Sequence, residues 1–165
     1  MHPYLLKVKA NIMIVKGEKM TNDQLIAPEL PEQLDPSVVN KPSGWYEVLS
    51  SDQLESKKAV QIEDFPTQLV AWRGEDNKVC ALDLYCKHMG AALSCGEVDG
   101  NSIRCPFHAW SWNKDGDCDD IPYAKKIPDK AKIRSWATDE KDGLIYVWFD
   151  RNGKKPDPEG SRFNK

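Results

Sequence analysis

Cys86-Lys87-His88 and Cys105-Pro106-Phe107-His108 are the stretches whose reading decides this 165-residue chain. They use two of its five cysteines and two of its three histidines, and residues 89–104 separate them. Each places one soft thiolate beside one imidazole in a short segment carrying Gly90 or Pro106. Two such loops facing each other can hold a metal centre with mixed sulfur and nitrogen ligands. Two chemistries compete for that donor set. Structural zinc takes four Cys and His ligands tetrahedrally, but zinc fingers usually present both cysteines and then both histidines, unlike the Cys-His-Cys-His order here. A [2Fe-2S] cluster can instead take two Cys on one iron and two His on the other.

Around the two loops the sequence reads as strands. Residues 45–49, 59–62, 68–73, 78–85, 102–104, 132–138 and 144–150 are short runs rich in β-branched, aromatic and aliphatic residues. Turn signals separate them, including Gly74-Glu75-Asp76-Asn77, Asp99-Gly100 and Glu140-Lys141-Asp142-Gly143. The last of these predicts a hairpin between 132–138 and 144–150, and one short helix is expected over 51–55. The spacing predicts an all-β sandwich, with a rigid scaffold offering its ligands from loops. Gly90, Gly96 and Pro106 are candidates for letting backbone amides approach the metal centre.

The run CKHMGAALSCGEVDGNSIRCPFHAWSWNKDGDCDDIPYAKKIP, residues 86–128, resembles the Rieske domain of Rieske non-haem iron oxygenases. Met89-Gly90, the string CPFHAWSW and the continuation IPYAKKIP make it most similar to the branch of ketosteroid hydroxylases and sterol desaturases. The resemblance covers residues 45–150. It implies a Rieske-type antiparallel β-sandwich with a small cluster-binding subdomain of two ligand loops. It also implies a [2Fe-2S] cluster held by Cys86 and Cys105 on a buried iron that stays ferric, and by His88 and His108 on an outer iron that changes oxidation state. The surrounding residues would be Met89, Gly90, Ala91, Phe107, Trp110 and Trp112. In respiratory members of the family a disulfide ties the two loops, and Ser and Tyr hydroxyls donate to the cluster sulfurs. Here the corresponding positions read Ala91 and Phe107, and Trp110 and Trp112, so a potential near the low end of the Rieske range, about −150 mV, is expected.

The same resemblance limits the chemistry. The family's oxygenation requires a second iron held by two His and one carboxylate. With His88 and His108 assigned, His2 is the remaining histidine of this sequence. The expected role is therefore electron transfer from a flavin- or ferredoxin-type reductase to an oxygenase catalytic domain or subunit outside these residues. The alternatives are the truncated or split N-terminal part of an oxygenase subunit, and a zinc-stabilised binding module.

Composition agrees with one domain plus tails: 1–42 as an extended N-terminal segment, 43–150 as the Rieske domain and 151–165 as a C-terminal tail. A net charge of −3 argues against nucleic-acid binding. The longest apolar run near the N-terminus, 12–15, is too short for a signal core or a membrane span, and a cytoplasmic placement is expected. Cys80, Cys95 and Cys118 lack paired spacing and read as small free thiols; proximity to the first ligand loop would make Cys95 oxidation-sensitive. Asp115, Asp117 and Asp119 mimic an EF-hand start, but Asp120 and Lys126 stand where Gly and Glu are required, so a solvated turn is expected.

Overall fold

Residues 69–73, Leu-Val-Ala-Trp-Arg, are buried on both sides. Because side chains alternate along a strand, they feed two cores: Leu69 and Ala71 pack into one, Val70 and Trp72 into the other. A strand buried on both faces belongs to a middle layer. The protein is described here by a computed structural model covering residues 41–157 and 163–164; the expectations for residues 1–40 lie outside this range. In chain order its strands are β1 (Gly44–Ser50), β2 (Ala59–Ile62), β3 (Leu69–Arg73), β4 (Val79–Asp83), β5 (Glu97–Asp99), β6 (Ser102–Arg104), β7 (Ser111–Trp112), β8 (Cys118–Asp120), β9 (Ser135–Trp136), β10 (Thr138–Lys141), β11 (Leu144–Phe149) and β12 (Phe163–Asn164).

They form three four-stranded sheets, ordered β10-β11-β1-β12, β2-β3-β4-β9 and β5-β6-β7-β8. All pairings are antiparallel except β1 with β12. One core joins the first two sheets as a sandwich, bringing Leu69, Ala71 and Ala81 together with Ile145, Val147 and Phe149. Phe65 sits within it, edge-on to Trp136 at 5.1 Å and to Phe149 at 6.0 Å. The second core joins the other face of the middle sheet to the β5–β8 sheet, through Val70, Trp72, Leu82, Ile103 and Trp112. The fold is thus an all-β antiparallel sandwich carrying a small subdomain from which both ligand loops emerge. Among the described residues no helix is long and apolar enough to cross a membrane.

Several expected elements differ from those observed. The 132–138 strand is split: Ser135–Trp136 pairs with β4, while Thr138–Lys141 pairs with β11. The chain changes sheet at Ala137, because Trp136 is buried in the sandwich and Thr138 donates to the Val79 carbonyl at 2.7 Å. The final hairpin is therefore β10–β11, closed by Asp142 and Gly143, both at positive φ as a tight two-residue turn requires. The expected helix is a single 3-10 turn, Ser51–Gln53. Part of the expected C-terminal tail forms β12, an edge strand on β1.

Arg73, at the end of β3, ties the middle sheet to the β10–β11 hairpin through two parallel bonds to Glu140, at 2.8 and 2.9 Å. The Arg73 guanidinium donates to the Glu140 carboxylate and holds its pKa down to about 2. A carboxylate depressed in the folded state stabilises the fold above its unfolded pKa, and that contribution is lost as pH falls through the folded one. The stability difference between the native protein and Glu140→Gln should therefore be constant above about pH 5 and vanish toward pH 2. Urea midpoints across that range would check this; a difference independent of pH would contradict it.

Candidate metal centre

The two ligand loops close in the same way. In the first, the Cys86 N–H donates to the Ala91 carbonyl at 2.9 Å and the Gly90 N–H donates back to the Cys86 carbonyl at 2.9 Å. In the second, the Cys105 N–H donates to the Trp110 carbonyl at 2.8 Å and the Ala109 N–H to the Cys105 carbonyl at 3.1 Å. Gly90 and Ala109 occupy equivalent positions, and both are left-handed, with φ of 75° and 58°. Each reverses the chain four residues after its cysteine, one or two residues beyond its histidine. Arg104 braces the second loop by donating to the Ala109 carbonyl at 3.1 Å while pairing with Asp99 and Asp120.

This closure sorts the four expected ligands into two pairs. Cys86 and Cys105 lie inside, 2% and 4% exposed, close enough to share a hydrogen bond. That bond, with burial, pushes the Cys86 thiol up, while the bond from Cys86 and the backbone amides of Phe107 and His108 push Cys105 down. Outside them, the His88 and His108 rings meet edge to face with centroids 4.6 Å apart. Both imidazole Nδ1 atoms are buried and have no hydrogen-bond partner. An unpaired buried polar atom costs on the order of 1–3 kcal/mol, so two side by side call for a common partner. Two sulfurs within and two unpartnered nitrogens without match a two-iron cluster of asymmetric ligation.

The flanking aromatics have separate positions. Trp110 stacks on His88 at 4.5 Å, with ring planes 8° apart, and its indole N–H donates to the Tyr123 hydroxyl at 2.6 Å. Phe107 lies against His108 at 3.9 Å and, like Met89, is exposed. Ala91 is buried beside Cys86. Trp112 is fully buried, and its indole N–H, which makes no hydrogen bond of full geometry, lies close enough to Cys86 to lower that thiol by weak donation. The lack of a hydroxyl at position 112 therefore does not leave that position without a donor.

Gly96 is required by close backbone packing. A Cβ there would meet the Arg104 carbonyl oxygen at 2.2 Å and that of Leu93 at 2.9 Å, so this glycine lets β5 approach the end of β6. Gly96→Ala should destabilise the domain by about 2–3 kcal/mol, since backbone atoms cannot yield as a flexible side chain can. Thermal unfolding would measure it, and an unchanged midpoint would refute the packing argument.

Tyr123 and Arg104 were not legible as site residues. Tyr123 stands in the IPYAKKIP segment and reaches Trp110 only through the fold, whereas Arg104 directly precedes Cys105, a positional hint. Cys80, Cys95 and Cys118 are free, and burial raises the pKa of all three, Cys80 to about 11. Of the acidic run, Asp117 pairs with Lys132, and Asp119 accepts from the Ser102 hydroxyl at 2.6 Å. The Asn113 side chain caps the intervening turn.

Residues 44–136 match the family model described as the Rieske [2Fe-2S] domain. The chain belongs to this family. The cofactor implied by the Rieske family is a [2Fe-2S] cluster of the Rieske type, which the paired donors fit. The domain is 45% identical over 116 residues to a 3-ketosteroid-9-alpha-monooxygenase oxygenase component of Rhodococcus rhodochrous, covering 70% of this chain and 30% of that protein. It is 40% identical over 119 residues to cholesterol 7-desaturase nvd 1 of Ciona intestinalis, covering 72% and 25%. Among solved structures, dicamba monooxygenase bound to dicamba aligns with TM-score 0.63 and 30% identity, over 72% of this chain and 37% of that one. The Rieske domain thus spans less than a third of the length of these curated relatives.

Proposed function

We propose that Cys86, His88, Cys105 and His108 hold a Rieske [2Fe-2S] cluster, and that the domain, residues 43–150, relays electrons from a reductase to a non-haem iron oxygenase site outside this sequence. The two buried, unpartnered Nδ1 atoms, on rings 4.6 Å apart in the same two loops that carry the buried thiols, support the ligand reading. When bound, the cluster supplies a one-electron couple. The chain's own residues do the rest. Cys86 and Cys105 present thiolates inside the subdomain, where the second core keeps water away. Both histidines are only partly buried, so their rings give the couple its nearest route to the surface. Trp110 fixes the plane of His88 by stacking.

This sequence contains three histidines, too few for the cluster and for a second iron held by two His. The oxygenase site therefore belongs to another subunit or to further sequence of the same polypeptide. Relatives named for 3-ketosteroids and cholesterol support a steroid-type substrate for that site. The test is the purified chain's content of iron and acid-labile sulfide, with its visible spectrum before and after dithionite. About two irons and two sulfides per chain with a reducible chromophore are expected. Stoichiometric zinc without sulfide would overturn the reading in favour of a structural zinc site.

A further inference from the structure

Trp110 belongs to the second ligand loop, yet its indole lies flat on His88 of the first, with ring planes 8° apart. The side chain thus bridges the two loops on their outer side. Stacking alone leaves a partly buried indole free to slide and tilt, because offset arrangements of two rings differ little in energy. What restrains it is the Tyr123 hydroxyl, which accepts from the indole N–H at 2.6 Å.

Tyr123 is 63% exposed, so burial does not explain where its ring stands. Its backbone does. Ile121 is buried, Ile127 packs against the same core, and the Ala124 N–H donates to the Ile121 carbonyl at 3.0 Å, which fixes the turn carrying Tyr123. Just before that turn, Arg104 Nη1 donates to Asp120 at 2.9 Å, and the same nitrogen donates to the Ala109 carbonyl at 3.1 Å, next to Trp110. One guanidinium therefore ties together the backbones from which Trp110 and Tyr123 project. A hydrogen bond near the surface competes with water, and holding both partners in place beforehand favours the bond. The two histidines are in consequence held unequally. His88 is covered by a ring anchored in a separate segment, whereas His108 lies against Phe107 of its own loop, an exposed ring tilted by 35°.

We infer that Tyr123 is a positioning residue of the metal centre: through Trp110, its hydroxyl fixes the plane of the His88 imidazole and slows that ligand's departure from iron. This role rests on the proposed ligation of the cluster by His88.

The cluster-loaded full chain is compared with Tyr123→Phe, which removes only the hydroxyl, and with Tyr46→Phe as control. Tyr46 donates to the Pro42 carbonyl over the same distance, 2.6 Å, but packs against the other core. Transfer of iron to a chelator is followed by loss of the visible absorption, and the nitrogen couplings of the two histidines are read by pulsed EPR after reduction with dithionite. Tyr123→Phe is expected to release iron about three- to tenfold faster than the parent, as loss of one hydrogen bond implies. It should also shift the couplings of one histidine and leave those of the other unchanged, and Trp110→Leu should shift the same set further. Tyr46→Phe should match the parent in both measurements. Release and couplings equal to the parent's in Tyr123→Phe would overturn the positioning role and leave the cluster reading intact. Faster release with both sets of couplings unaltered, or equally fast release in Tyr46→Phe, would mean a general loss of stability and likewise overturn it. Absence of iron and sulfide from the chain would overturn the underlying reading and this inference with it.

Discussion

Replacing His108 with Cys is expected to keep iron bound, shift the visible spectrum toward that of an all-cysteine ferredoxin and lower the reduction potential by on the order of 100 mV or more. The expectation follows from the position of the imidazole. His108 presents a buried, unpartnered Nδ1 from the outer side of the second loop, opposite His88. A neutral nitrogen donor there leaves the reduced centre one negative charge lighter than a thiolate would, and extra negative charge opposes addition of an electron. The loop can accept the change, because its closure rests on backbone bonds from Cys105 and Ala109 that do not involve the His108 side chain. Redox titration with iron quantitation would check the result. An unaltered spectrum and potential would remove His108 from the ligand set. Complete loss of iron, with His108→Ala behaving the same way, would support ligation while showing that the loop demands an imidazole.

The candidate ligand residues stand out in the sequence because metal chemistry restricts residue type and spacing more tightly than packing does. The sandwich was legible where strands carry aliphatic and aromatic runs, as in residues 59–62, which match β2, and 69–73. The subdomain strands were legible only in part. Glu97–Asp99 and Cys118–Asp120 are three-residue strands with two acidic residues each, and hydrophobic periodicity cannot report elements so short. They are held by what lies between them: the close approach at Gly96, and Arg104 reaching Asp99 and Asp120 on either side. The break in 132–138 was hidden for a related reason. Both halves are strand, and only the presence of two sheets divides them. The pairing of Tyr123 with Trp110 depends on bringing together segments whose separation in sequence carries no pattern.

Trp112→Phe is expected to lower the reduction potential of the loaded domain by about 30–60 mV. The indole is fully buried in the core that contains both cysteines, and its N–H lies near Cys86 without making a hydrogen bond of full geometry. A buried donor of this kind is costly unless an acceptor is present, and beside Cys86 the available acceptors are sulfurs of the proposed cluster or of its ligands. A hydrogen bond to such a sulfur strengthens as the cluster gains an electron, so it favours the reduced form. A differential of about 1 kcal/mol corresponds to roughly 40 mV for a one-electron couple. Phenylalanine retains most of the ring and removes the donor. Trp110→Phe serves as the comparison: it gives up the bond to Tyr123, whose hydroxyl faces solvent, while retaining a ring to stack on His88, and should move the potential much less. Equal shifts in the two variants would point to altered packing around the loops. No shift in Trp112→Phe, with iron content intact, would mean that the indole N–H does not reach a sulfur whose charge changes on reduction.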